Sequence, residues 1–194
     1  MYTIALFAHI VGVLGLFIAI GIEGLALARM RCARSVAHVL EWADATHAVG
    51  ALHPVAILLI LGPGLHMLLS VWGWATAWID ISLALTLTLS VLGPAVSARR
   101  FKAIRAAAAT APEGMPPAAL TRLIHDRVLG VSFLAMAGVA VGIVYLMTVK
   151  PGTVGSLAAV ALGALSALPS LGAALAPAEA TSAPVTEQGG LFGR

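Results

Sequence analysis

The sequence predicts an all-α fold: a polytopic bundle of transmembrane helices, with four core spans and a fifth apolar helix. Three observations lead to this fold class. Of the 194 residues, 60% are hydrophobic and only 10% are charged, whereas a soluble domain carries about a quarter charged residues. Four apolar runs are long enough to cross a hydrocarbon layer about 30 Å thick as helices. The basic residues collect in alternate loops, as they do in proteins inserted in a bilayer.

The core spans follow one another within residues 1–151, which we predict to form one transmembrane domain. Their predicted bounds are residues 2–28, 46–72, 75–97 and 128–149. Arginines end the first and third spans, and Trp72-Gly73-Trp74 forms the turn between the second and the third. Between the third and fourth spans, prolines around Glu113 end any helix.

The second span carries histidines and a helix breaker but no Asp, Glu, Lys or Arg. His47, His53 and His66 lie in it, and Gly62-Pro63-Gly64 separates the last two histidines. Such a triplet can both kink a helix and rotate its outer half. We therefore predict that this span breaks near Pro63 and is the axis of the bundle rather than a plain lipid anchor.

Residues 152–176 form a fifth apolar run, which we predict to be a further transmembrane helix. Gly155, Ala159 and Gly163 recur at every fourth position, and Gly138 and Gly142 form a GxxxG motif in the fourth span. Small residues at this spacing allow close helix contact. These small residues can pack helices inside the bundle, or they can form a contact with a second copy of the chain or with another membrane protein. Residues 177–194 have the composition of a disordered tail.

The distribution of Lys and Arg predicts the orientation. Three basic residues lie in the first loop, six in the third and none in the second, so nine of the eleven fall on one side. The positive-inside rule makes that side cytoplasmic and the N-terminus external. We therefore expect a multi-pass protein of the inner membrane. Its net charge of +3 is a topology signal rather than a nucleic-acid footprint.

Four polar side chains are predicted at the outer end of the bundle: His9, His66, Asp80 and Lys150. Titratable groups inside a membrane are costly and therefore suggest function. Two neutral imidazoles from facing helices suit the axial ligation of a b-type haem, or the binding of a copper or zinc ion. Asp80 could then hold a ring N–H, and Lys150 could neutralise a propionate. The alternative is that the histidines are hydrogen-bonded packing residues and that Asp80 and Lys150 form a structural ion pair.

Glu23 and His53 lie deeper, in the inner half of the first and second spans. They could relay protons from the cytoplasm, or they could form an interhelical hydrogen bond without further function. A single cysteine, Cys32, excludes an internal disulfide or a thiolate cluster. None of the common hydrolase, nucleotide-binding, redox or metalloprotease motifs is present. Catalysis of the soluble type is not expected.

Three short motifs are the basis of a resemblance to known membrane-protein families. They are Phe7-Ala8-His9 followed by Gly12 and Gly15, Trp78-x-Asp80-x-Ser82, and Leu146-Met147-Thr148-Val149-Lys150-Pro151. With them, residues 1–151 resemble a family of small bacterial integral-membrane proteins known as a domain of unknown function. More distantly, the chain is similar to the copper-resistance D membrane domain and to the membrane-bound haem-containing protoporphyrinogen oxidases. Both are four-helix bundles with an early histidine in the first span.

The resemblance implies that His9 is a haem ligand and that Lys150 is a partner of the bound porphyrin. The second basic position characteristic of the oxidases has no clear counterpart here, so their enzymatic activity does not carry over. The sequence thus leaves three functions open. They are an inner-membrane protein that binds haem or a metal in the outer leaflet, a non-catalytic subunit or assembly factor without a cofactor, and a small transporter.

Overall fold

The computed structural model describes residues 1–165, and these residues form an all-α bundle. Four helical stretches are long and apolar enough to cross a membrane: Tyr2–Arg31, Val36–Trp72, Ala77–Thr110 and Ala118–Val149. The fold class predicted from the sequence is therefore confirmed. The predicted tail, 177–194, and residues 166–176 of the predicted fifth helix lie outside the described residues.

Eight α-helices make up the described chain. They are α1 (Tyr2–Arg31), α2 (Val36–Gly50), α3 (Leu52–Met67), α4 (Ala77–Leu92), α5 (Arg99–Thr110), α6 (Ala118–Ile124), α7 (Arg127–Val149) and α8 (Thr153–Leu165). Two π-helical turns, Leu68–Trp72 and Gly93–Ala98, extend α3 and α4. Each of the four long stretches has 30 or more residues, whereas about 20 suffice to cross a bilayer. Each stretch is therefore longer than a crossing requires.

The second long stretch differs from its prediction in one respect. Pro63 lies inside α3, and the helix runs on through Gly62-Pro63-Gly64 to Met67. Proline costs a helix one hydrogen bond, and in membrane helices a neighbouring element can satisfy the freed backbone groups. The neighbouring helix here is α1, and its His9 side chain contacts the carbonyl of Ile60, one residue after the Leu59 carbonyl that loses its helical donor at Pro63.

The long apolar helices pack most extensively in two groups. α1 lies along α3, while α7 lies along α8 and α4 contacts both. The α1–α3 crossing is close because Gly12 faces Leu59 and Ile60; a Cβ atom added at Gly12 would lie 2.8 Å from the Leu59 Cβ. The α7–α8 crossing is close because Gly142 faces the Ala159 carbonyl, and Gly163 faces that of Gly138.

The largest hydrophobic core lies at the opposite end from the Trp72–Ala77 connection, around the basic loops. The end of α1, the start of α7 and helices α2, α5 and α6 all contribute to it. Its members include Ala26, Leu27, Met30, Val36, Val39, Ala43, Phe101, Ile104, Ala108, Leu120, Ile124 and Leu129. Two ion pairs lie around this core: Arg100 Nε is 2.7 Å from Asp126 Oδ2, and Arg105 Nε is 2.6 Å from Asp44 Oδ1. We refer to this set of helices as the inner cap.

Candidate functional site

His9 is held by a backbone carbonyl of the neighbouring helix. Its Nδ1 atom lies 2.8 Å from the carbonyl oxygen of Ile60. A carbonyl only accepts hydrogen bonds, so Nδ1 must carry the proton and donate it. The neutral ring then presents Nε2 as a lone-pair donor, and Nε2 has no hydrogen-bond partner among residues 1–165. This is the tautomer and support that metal-ligating histidines usually have.

Glycine at position 64 makes room for this ring. A Cβ atom built at Gly64 would lie 3.3 Å from His9 Nδ1 and 3.4 Å from Cε1. Such distances are tighter than ordinary carbon contacts, so a side chain here would require the imidazole to shift. Gly64 therefore leaves space for the His9 ring, and the Gly-Pro-Gly triplet does not break α3.

His66 does not face His9. Gly64 is the residue in contact with the His9 ring, and His66 follows two positions later, about 200° further around the helix. The His66 side chain is accordingly exposed. The structure thus separates the two histidines that the sequence predicted as a ligand pair. Their relative phase could not be read from a span containing Pro63.

Lys150 lies at the outer end of the bundle against two indole rings. Its Nζ atom is 4.5 Å from the ring centroid of Trp72 and 5.6 Å from that of Trp78. The two rings meet edge to face, with centroids 5.3 Å apart. Lys150 also has a left-handed backbone (φ 54°) and ends α7. Its ammonium group is therefore placed by cation–π contacts rather than by the predicted ion pair with Asp80.

Asp80 lies in the first turn of α4. Its Oδ1 atom is buried and has no hydrogen-bond partner in the described part of the chain. The side chain lines a shallow cavity of about 460 Å³ together with Trp74, Ala75, Leu83, Ala84 and Leu87. A buried carboxylate oxygen without a donor is costly, so this atom marks a position where a ligand or water would be stabilised.

Glu23 and His53 meet across the α1–α3 contact. Glu23 Oε2 lies 3.7 Å from His53 Nε2, and their side chains are 12% and 32% exposed. The two side chains therefore face each other across α1 and α3. The distance is longer than a hydrogen bond, so a small shift or a bridging water is needed for proton exchange.

The small residues of α7 and α8 contact each other within the chain. Gly142 faces Ala159, Gly163 faces Gly138, and Gly155 lies against Pro151. In the part of the chain that the structure describes, Gly138, Gly142 and Gly163 therefore serve the α7–α8 crossing, whereas Gly155 is exposed. Their use in a contact with another protein stays a prediction.

Among residues 1–165, no three His, Cys, Asp or Glu side chains come together in a way that could hold a metal ion. Sequence reasoning missed a cavity at the inner cap between α1 and α6, because its arginines had been interpreted only as topology signals. The signal that could have found it is the pair Arg31 and Arg34, which has no acidic residue nearby in the sequence. Comparison with protein-family models, with curated proteins and with solved structures found no match to this chain.

Proposed function

We propose that this protein is a multi-pass membrane protein that binds a b-type haem in the outer half of the bundle, with His9 as an axial ligand. The observation that carries this proposal is the 2.8 Å contact between His9 Nδ1 and the Ile60 carbonyl. The contact fixes the tautomer in which Nε2 can coordinate iron, and hydrogen bonding to a carbonyl raises the basicity of the ligand.

Two residues near the outer end could bind the propionate groups of the haem. The Lys150 ammonium, held over Trp72 and Trp78, can pair with a propionate at the membrane surface. The Oδ1 atom of Asp80 is buried and has no partner in the described chain. It can accept a hydrogen bond from a second propionate, if that propionate is protonated, or from a water. When bound, haem supplies reversible one-electron chemistry at its iron.

The proposal assigns axial ligation to His9 alone. His66 would have to turn by about half a helical turn to face the same side as Gly64 and is exposed. Within residues 1–165, His9 would then be the side chain that holds the iron. A copper ion fits less well, because no group of three ligating side chains is found in this part of the chain.

An absorption spectrum of the purified protein tests the proposal. Cells supplied with a haem precursor should yield a protein with a Soret band. We expect His9→Ala to lose that band and His66→Ala to retain it; both variants remove one imidazole from the outer half. A colourless wild-type protein, or a band that survives His9→Ala, would refute the assignment.

We propose that the inner cap faces the cytoplasm and the N-terminus the exterior, in the inner membrane of a bacterium. Nine of eleven basic residues support this orientation. Cys32 is exposed and is the single cysteine, so it is a natural probe. A membrane-impermeant maleimide should label it only after lysis. In a Cys32→Ser background, Gly152→Cys should be labelled in intact cells. The reverse pattern would invert the topology.

Proton-coupled transport is a second candidate, and the Glu23–His53 contact favours it. The two groups are opposed at 3.7 Å across α1 and α3, with Glu23 largely buried. Reconstituted vesicles should then show a proton flux that Glu23→Gln abolishes and that Glu41→Gln, a change at an exposed glutamate of α2, leaves unchanged. Equal flux in wild type and Glu23→Gln would eliminate this candidate.

A further inference from the structure

The inner cap contains a cavity of about 390 Å³ between the end of α1 and helix α6. Its floor is apolar, formed by Met30 and Ile124, which both belong to the hydrophobic core. Its other lining residues are Arg31, Ala33, Arg34, Met115, Pro116, Thr121 and His125. Three basic side chains therefore share one cavity with an apolar floor, and none of the lining residues is acidic.

The charges of the two arginines are not neutralised within the described chain. Neither Arg31 nor Arg34 forms an ion pair with a carboxylate of residues 1–165, whereas Arg100 and Arg105 each do. Two acidic residues flank the second lining segment, residues 115–125: Asp126 is bound to Arg100 and caps α7, and Glu113 does not line the cavity. The cavity thus has a net positive potential.

Arg31 is exposed but contacts two neighbouring elements. Its Nε atom donates to the carbonyl of Ile124 over 3.4 Å. Its NH2 group lies against α7, where a Cβ atom at Gly130 would come within 2.7 Å. His125 Nδ1 similarly donates to the Thr121 carbonyl over 3.0 Å. Arg31 and His125 are therefore oriented before any ligand arrives, and His125 Nε2 can donate to a phosphate oxygen when it too carries a proton.

We propose that this cavity binds a phosphate group. An arginine fork matches the geometry of phosphate oxygens, and a positioned guanidinium loses little side-chain entropy on binding. In the proposed orientation the cavity lies at the cytoplasmic surface, where anionic phospholipids are found and basic pockets between helices bind their head groups. The same chemistry would also accept a free phosphate or a soluble phosphate ester. The inference does not depend on haem binding.

The test measures binding of two probes to the full chain in detergent. Phosphatidylglycerol is titrated by native mass spectrometry, with phosphatidylcholine as the zwitterionic reference, and inorganic phosphate is titrated by calorimetry. The site variants are Arg34→Gln, which removes no internal contact, and the double change Arg31→Gln/Arg34→Gln. The matched control is Arg122→Gln/Arg127→Gln, which removes two exposed charges at the same end but outside the cavity.

We expect Arg34→Gln to raise the dissociation constant about threefold and the double variant about tenfold or more, since charge-assisted hydrogen bonds are lost. The control pair should change it less than about twofold. Tight phosphatidylglycerol binding with weak phosphate binding identifies a lipid head group, and the reverse identifies a soluble phosphate. Equal losses in site and control variants, or binding of neither probe, would overturn the proposal.

Discussion

The Nδ1 atom of His9 lies 2.8 Å from the carbonyl oxygen of Ile60, and this contact links two features that are separate in the sequence. It joins α1 to α3 in the turn that precedes Pro63, which lies inside the helix. It also sets the tautomer of the imidazole, leaving Nε2 for coordination. One hydrogen bond therefore supports both the packing of α1 on α3 and the proposed haem site.

Chemical rescue separates the ligand role of His9 from its packing role. We expect His9→Gly to lose the Soret band and external imidazole to restore it, because imidazole supplies the missing nitrogen. Loss of the Ile60 hydrogen bond alone should cost about 0.5–1.5 kcal/mol of stability, measured by thermal unfolding in detergent. If imidazole restores stability but no absorption band appears, His9 acts in packing alone.

The α1–α3 crossing should be intolerant of a single methyl group at Gly12. An added Cβ atom would lie 2.8 Å from Leu59 Cβ and 2.9 Å from the Ile60 nitrogen. We expect Gly12→Ala to reduce the free energy of unfolding by about 1–3 kcal/mol, as overpacking does.

Gly21→Ala is the matched control for this prediction. Gly21 lies in the same helix, and a Cβ atom there meets nothing within 4 Å. Alanine favours helices over glycine by up to about 1 kcal/mol, so the control should be neutral or stabilising. Similar melting temperatures for the two variants would contradict the close crossing.

Lys150 combines a favourable side-chain contact with an unfavourable backbone conformation. We expect Lys150→Ala to lose about 0.5–2 kcal/mol, because it removes the cation from Trp72 and Trp78. Lys150→Gly should be about 1 kcal/mol more stable than Lys150→Ala, because glycine adopts the left-handed φ of 54° without strain. Chemical unfolding followed by tryptophan fluorescence measures both changes. Equal stability of the Gly and Ala variants would argue against the left-handed cap.

The inner cap should lose stability in acid through Asp126. Partial burial raises the pKa of this carboxyl, but hydrogen bonds from Arg100 and from the Val128 N–H outweigh it and leave the pKa below its usual value. The folded state therefore binds the proton more weakly than the unfolded state. The stabilisation is fully present above the unfolded pKa of about 3.9 and is lost as the pH falls through the lower folded value.

Asp126→Asn tests this dependence, since asparagine can still cap α7 but cannot pair with Arg100. At neutral pH it should cost about 1 kcal/mol or less, because both side chains are about a third exposed. Its stability should vary less than that of wild type below pH about 4. Glu113→Gln, at an exposed carboxylate outside any ion pair of the described chain, should behave like wild type. An unchanged acid profile in Asp126→Asn would refute this account.

Composition and loop charge were enough to predict the number of core spans and the all-α class, because both depend on summed properties of many residues. The rotation of one helix about its axis relative to its neighbour was not predictable. His66 was assigned to the same site as His9, but the rotation of α3 relative to α1 is set by packing at Gly12 and Gly64. Sequence periodicity does not contain this information when an internal proline makes the local geometry uncertain.

The hydrophobic core of the inner cap was not predicted, for a different reason. Residues such as Val39, Ile104 and Leu120 lie in short charged segments that connect the predicted spans. Their apolar faces are nevertheless fully or almost fully buried against one another. The sequence of a short amphipathic helix does not identify the helices against which it packs, although that packing supplies most of its stability.

The inner cap also constrains the order of events during biosynthesis. Its hydrophobic centre joins Ala26 to Leu129, contacts separated by about a hundred positions in a chain that emerges at about 5–20 residues per second. The first three long helical stretches are therefore complete several seconds before the start of α7 is available to cover them. During that interval apolar surfaces that the finished fold conceals are open to a chaperone or a protease.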